Sequence, residues 1–164
     1  MKKSKPFLSK KIKIVLSDVD GVLTDGGMYY SNKGESLKKF NTKDGMGVEL
    51  LLEKNIKTIL ITRENSTITK KRSTKIKIKK LYQGIKNKEK ILSLICLENN
   101  VKFIEIAYIG DDVNDIDIMK KVGLSCCPAD AIPNVKKIST LISSKNGGDG
   151  CFREFADYII KNFS

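Results

Sequence analysis

The sequence predicts an α/β fold, a parallel sheet with helices on both faces, and three observations carry that prediction. Short apolar, β-branched runs alternate with longer helical stretches along the 164 residues, and such alternation closes into parallel sheets. Two of the runs end in acidic clusters, Asp18-Val19-Asp20-Gly21 and Gly110-Asp111-Asp112, at the strand ends where α/β sheets bind ligands. No linker, repeat or low-complexity tract interrupts the pattern, so residues 1–164 are expected to form one domain.

The elements follow in order. Residues 12–17, Ile-Lys-Ile-Val-Leu-Ser, are apolar and too short for a helix, and predict a buried strand. Residues 26–30 and 35–40 predict two strands of a hairpin around the turn Ser31-Asn32-Lys33-Gly34. That hairpin, about 26–40, would expose Met28, Tyr29, Tyr30, Leu37 and Phe40 with little chain left to cover them, which predicts a subunit interface. A helix over 44–55 with Asp44 as N-cap comes next, then a strand over 56–62. Helix 66–75, strand 81–82, helix 88–98, strand 104–109 and helix 114–121 continue the alternation. Strand 124–126, a short helix near 132–136, strand 139–141 and helix 151–161 complete it. The hairpin and one helix use up the chain between Thr24 and Thr62, so no cap domain fits there.

Composition narrows the chemistry. With 40% hydrophobic and 30% charged residues the chain is an ordinary globule. It has no apolar run of membrane-span length. The basic start, Met1-Lys2-Lys3-Ser4-Lys5, is not followed by the apolar stretch of a signal peptide. Cys96, Cys126, Cys127 and Cys151 have neither zinc-site nor disulfide-framework spacing, which predicts reduced thiols and a cytoplasmic setting. The absence of histidine excludes Ser-His-Asp and Cys-His hydrolases, phosphohistidine enzymes and histidine-ligated zinc. A net charge of +12 invites a nucleic-acid reading. However, the excess is dispersed lysine, arginine occurs only at Arg63, Arg72 and Arg153, and tryptophan is absent. No nucleic-acid or membrane partner is expected.

Two carboxylates as close as Asp18 and Asp20 are costly together unless a cation neutralises them or they share a proton. Oxygen-only ligands favour a hard ion, Mg²⁺ over zinc. If the first and the 104–109 strands share one sheet, Asp111, Asp112 and Asp115 emerge on the same edge. The strand that ends at Thr62 adds a hydroxyl, and Lys88 opens a helix after Gln83-Gly84. A calcium loop does not fit, because Gly21 comes too early and Tyr29 stands where the bidentate Glu belongs. A carboxylate nucleophile, a second carboxylate, a hydroxyl, an ammonium and an acidic metal pair together point to phosphoryl transfer onto an aspartate.

On Asp18–Gly27, Lys39-Phe40-Asn41, Lys43-Asp44-Gly45-Met46-Gly47, Tyr82-Gln83-Gly84, Tyr108–Asp112, Val122-Gly123-Leu124-Ser125, Pro128-Ala129-Asp130-Ala131 and Gly147-Gly148-Asp149-Gly150 with Arg153-Glu154, the chain resembles the capless haloacid dehalogenase phosphatases acting on 3-deoxy-2-ulosonic acid phosphates. The resemblance spans roughly 12–155. It implies a Rossmann-like fold, a homotetramer formed through the hairpin, and a tail, about 146–164, lying near a neighbouring subunit's site. It also implies roles. Asp18 is the nucleophile, and Asp20 the general acid and base. Mg²⁺ is bound by Asp18, the Asp20 carbonyl and Asp111, with Asp115 in support and Asp112 near the substrate. Thr62 and the backbone at Asp20-Gly21 bind phosphate, and Lys88 offsets charge.

The chain departs from that pattern in one loop. Octulosonate 8-phosphate phosphatases usually carry Thr-Gly-Arg where this chain has Thr62-Arg63-Glu64. Arginine there can hold a sugar carboxylate bidentately, and Glu64 cannot. Lys75 is expected to take over from the missing arginine or to pair with Glu64. Asp149 also replaces a frequent Arg. Glu64 resembles the nonulosonate branch, so a nine-carbon 9-phosphate is the expected substrate, with 3-deoxy-D-manno-octulosonate 8-phosphate the alternative. A non-catalytic module like that attached to acylneuraminate cytidylyltransferases is the alternative of another class.

Overall fold

In the computed structural model, which describes residues 11–163, six parallel strands form one sheet: β1 (Ile14–Ser17), β4 (Lys57–Ile61), β5 (Lys80–Tyr82), β6 (Ile106–Ile109), β7 (Leu124–Cys127) and β8 (Leu141–Ile142). The remaining two strands, β2 (Tyr29–Ser31) and β3 (Gly34–Leu37), pair antiparallel as the predicted hairpin. The basic run Met1-Lys2-Lys3-Ser4-Lys5 lies outside the described residues.

Spatial order in the large sheet is β5-β4-β1-β6-β7-β8. The chain winds outward from β1 to one edge, then returns to place β6 against the other side of β1. The switch point of this doubly wound sheet therefore lies between β1 and β6, and its crevice at their carboxyl ends. Register puts Ser17 beside Ile109, so Asp18 and Gly110 leave the sheet side by side.

Alternate strand residues feed two cores. Val15, Leu60, Ala107, Ile109 and Leu124 pack under α1 (Thr42–Glu53) and α6 (Cys151–Phe163). Leu16, Ile59, Ile61, Ile106 and Tyr108 pack under α3 (Lys88–Asn99), α4 (Ile116–Lys121) and α5 (Pro133–Ile138). The tail is thus no loose appendage: Phe152, Phe155, Ala156 and Ile159 of α6 are buried and form half of one layer with α1. The backbone N–H of Ile12 donates to the Phe163 carbonyl at 3.2 Å, joining the two ends of the described chain.

Local signals set the helix starts, with one correction. Ser66 caps α2 (Thr67–Lys75) and Asn87 caps α3, each accepting from a first-turn N–H. The α1 cap is Asn41, which accepts from the Lys43 N–H at 2.9 Å. Asp44 lies inside the first turn, buried, and its Oδ1 accepts from the Arg153 N–H at 3.0 Å, fastening α6 to α1. Helix α1 starts earlier than predicted because Asn41 supplies a cap and Asp44 is drawn into the core contact.

Phe40 is a second correction. It is half-buried against the α1–α6 core with Arg72 over its ring, whereas Met28, Tyr29, Tyr30 and Leu37 stay exposed. The four cysteines are free thiols. Among the described residues, no helix is long and apolar enough to cross a membrane.

Candidate active site

The loops that follow β1, β4, β5 and β6 all emerge on one sheet edge because those strands are parallel. The loops after β1, β4 and β6 line a cleft of about 210 Å³ with Asp18, Asp20, Thr62, Arg63, Glu64, Asp111, Asp112, Val113 and Asn114. At its floor, Lys88 Nζ lies 2.7 Å from Asp18 Oδ2 and 2.7 Å from Asp115 Oδ1. Lys88 is fully buried at the first turn of α3, so its charge has no water to solvate it and depends on these two carboxylates. Burial pulls the ammonium down, but the charges of Asp18 and Asp115 outweigh that and hold it above the ordinary lysine value.

Asp115 is an organising carboxylate. Its Oδ1 accepts from Lys88 and from the Tyr108 hydroxyl at 2.6 Å, and its Oδ2 from the N–H groups of Asp111 at 2.9 Å and Asp112 at 3.3 Å. Four donors fill the acceptor capacity of an ionised carboxylate. Asp115 therefore shapes the acidic loop and holds Lys88. Gly110 is required here, since a Cβ at that position would collide with the Asp115 side chain.

Asp18 Oδ1 accepts from the Val19 N–H at 2.7 Å. Burial, then the charge of Asp115, push its carboxyl well above the usual aspartate range, against the pull of Lys88. Burial and the same neighbour raise Asp111 to about 7. Asp18, Asp111 and Asp115 can bring ligand atoms within 4.8 Å of one another. Fully ionised, three carboxylates against one ammonium would carry a net charge of −2, which a divalent cation would balance. Asp111 Oδ1 is buried without a hydrogen-bond partner among the described residues, as a ligand atom for such an ion would be. Gly21, at φ +83°, leaves room for the Asp111 carboxylate where any Cβ would strike it. The donors are all oxygen, and they fit Mg²⁺.

Asp20 stands at the cleft wall. Lys38 Nζ binds its Oδ1, which also receives a long 3.5 Å approach from the Thr24 hydroxyl; Oδ2 is buried without a partner. Thr62 Oγ1 accepts from the Glu64 N–H at 3.2 Å, which leaves the buried hydroxyl's own proton to donate into the cleft. Arg63 and Glu64 sit exposed at the rim.

The structure brings together Asp18, Asp20, Gly21, Thr62, Arg63, Glu64, Lys88, Asp111, Asp112 and Asp115. It does not bring Lys75, which ends α2 and lines a separate cleft with Thr42, Gly45, Glu49 and Arg72. No Lys75–Glu64 ion pair occurs among the described residues, because the nine residues of α2 carry the two apart. The glycine loop of the tail rests on its own chain: Gly148 N–H donates to the Val22 carbonyl at 2.9 Å.

Three contributors were not foreseen. Tyr108 carries no role in the sequence beyond its strand and the Tyr108–Asp112 motif, though a buried tyrosine requires a hydroxyl partner. Lys38 and Glu35 were read only as hairpin. Lys38 shares a side of the extended chain with Phe40, which turns to the core, and that alternation was the available signal.

The family model for haloacid dehalogenase-like hydrolases matches residues 24–155. The 3-deoxy-D-manno-octulosonate 8-phosphate phosphatase of Salmonella typhi is 37% identical over 93% of this chain and 81% of its own length. The cobalt-bound deoxy-D-mannose-octulosonate 8-phosphate phosphatase of Haemophilus influenzae superposes with a TM-score of 0.90 at 35% identity, over 93% of this chain and 90% of that one. The Moraxella catarrhalis octulosonate phosphatase, solved with magnesium, phosphate and KDO, superposes at 0.91 with 30% identity, over 94% and 88%. The fold, the acidic crevice at its switch point and these likenesses agree: the chain belongs to the haloacid dehalogenase-like hydrolases.

Proposed function

We propose that this protein is a Mg²⁺-dependent phosphatase that hydrolyses the terminal phosphate of a 3-deoxy-2-ulosonic acid, with 3-deoxy-D-manno-octulosonate 8-phosphate the best-supported substrate. The observation that carries the reading is the cleft where Asp18, Asp20, Thr62, Lys88 and Asp111 converge, in a chain whose relatives bear that substrate in their names. Those relatives favour eight carbons over the nine expected from Glu64. Glu64 at the cleft rim and Asp149 in the glycine loop remain the observations on the nine-carbon side.

Asp18 attacks phosphorus, forming the aspartyl–phosphate bond as the bond to the sugar oxygen breaks. Asp20 gives its proton to the departing oxygen, then takes one from the water that attacks the phosphoenzyme and returns Asp18. Thr62 donates to a phosphate oxygen, and Lys88 balances the charge gathered at Asp18. Mg²⁺, held by Asp18, Asp111 and the Asp20 carbonyl, would supply charge neutralisation between the anionic nucleophile and the anionic phosphoryl group. The exposed Met28, Tyr29, Tyr30 and Leu37 of the hairpin support assembly of this single-domain enzyme into a homotetramer.

The test is phosphate release from the eight-carbon 8-phosphate and a nine-carbon 9-phosphate, side by side with Mg²⁺, and with Asp18→Asn as control. Turnover favouring eight carbons and abolished by the substitution is expected. Preference for nine carbons would restore the Glu64 argument, and no release from either would overturn the reading.

A further inference from the structure

We propose that Lys38 is a positioning residue for Asp20, holding the general acid so that one chosen oxygen faces the leaving group. This rests on the phosphatase reading above and extends it to the hairpin. The Lys38 side chain is 2% exposed although it leaves the end of an otherwise exposed hairpin. A buried ammonium needs partners, and Lys38 has two: Asp20 Oδ1, and Glu35 Oε1 at 3.0 Å. The other oxygen of Glu35 accepts from the Ser66 hydroxyl. Ser66 caps α2 and closes the loop that carries Thr62, Arg63 and Glu64.

A single chain of contacts thus runs from Asp20 through Lys38 and Glu35 to Ser66, clamping the second strand of the hairpin between the nucleophile loop and the phosphate loop. Its consequence falls on Asp20. With Oδ1 engaged by Lys38 and approached by Thr24, only Oδ2 is left buried and unpartnered. Oδ2, which no group among the described residues engages, is therefore the oxygen left to carry the proton given to a departing alkoxide. A carboxyl free to rotate would hold that geometry only part of the time, and misplacement of a reacting group is penalised steeply.

The leaving group separates this role from others. An alkoxide must be protonated as it departs, whereas para-nitrophenolate leaves without a proton. A positive charge that merely attracted phosphate would serve both substrates equally. Wild type, Lys38→Met and Glu35→Gln are compared on the sugar-acid phosphate that wild type turns over and on para-nitrophenyl phosphate. The ratio of the two rates within one preparation cancels any inactive fraction. For Lys38→Met we expect kcat on the sugar phosphate to fall about 100-fold with KM unchanged, against less than about tenfold on the aryl phosphate. Glu35→Gln should shift the ratio in the same direction by a smaller factor, and it decides the matter if Lys38→Met does not fold. Equal losses on both substrates overturn the inference while leaving the phosphatase reading intact. A wild type that releases phosphate from neither substrate overturns the reading itself.

Discussion

The hydroxyl of Tyr108 and the carboxylate of Asp115 meet at 2.6 Å beneath the candidate active site, where both residues are fully buried. Burial first, then the charge of Asp115, hold the phenol well above the ordinary tyrosine value, so it stays a donor at every pH the protein meets. Tyr108→Phe removes one of four donors to Asp115 and leaves a buried acceptor short. A stability loss of about 1–3 kcal/mol is expected, read as a melting midpoint several degrees lower, together with a reduced kcat as Lys88 loses a fixed counter-charge. An unchanged midpoint would remove Tyr108 from the support of the site.

Gly21→Ala tests the cradle for Asp111. The new Cβ would strike the Asp111 carboxylate and adopt a positive φ. Mg²⁺ affinity by isothermal titration calorimetry should fall by about tenfold or more, with activity falling alongside. Normal affinity in the variant would show that Asp111 can withdraw without penalty.

Metal binding should release protons. Asp111 is raised to about 7, so below that pH a cation competes with the proton it must displace. Apparent Mg²⁺ affinity should drop by up to about tenfold for each pH unit below 7. Calorimetry in buffers of different ionisation enthalpy would report the proton released at pH 6 and little at pH 8.5. Affinity independent of pH across that range would exclude Asp111 as a ligand that titrates near neutrality.

Asp44 gives a pH signature separate from the metal. Burial raises its carboxyl from an ordinary 3.8 to about 6, despite the Arg153 N–H it accepts and the nearby charge of Arg72. Between those values the folded protein holds a proton that the unfolded chain has released, so stability falls as pH rises from 3.8 to 6 and stays lowered above. The displacement corresponds to about 3 kcal/mol at most. Asp44→Asn keeps an acceptor for Arg153 without the charge. It should raise the melting midpoint at pH 8 and do nothing at pH 3.5. A gain equal at both pH values would assign the effect to packing instead.

How much of this was legible depended on how local each signal was. The strand before Asp18 and the acidic turn after it are contiguous, and a parallel sheet brings the second acidic loop alongside, so Asp18, Asp20 and Asp111 could be paired from sequence. Thr62 and Lys88 followed from the same topology plus resemblance. What escaped reading was long-range. Asp44 has the residue type of a cap, yet its partner is the Arg153 backbone, far along the chain. Lys38 stands between Leu37 and Lys39 and looks solvated until the hairpin folds back on Asp20. Lys75 was placed by analogy with a charge pair, and the axial rise of α2 carried it to another cleft.

The Ile12–Phe163 hydrogen bond has a practical consequence. It lies at the amino end of β1, while Asp18 and Asp20 of the candidate site follow its carboxyl end, about 20 Å away by strand rise. A tether, fluorophore or affinity handle attached through either end of the described chain therefore starts from the edge opposite the cleft. A protein immobilised that way displays the candidate cleft to solution.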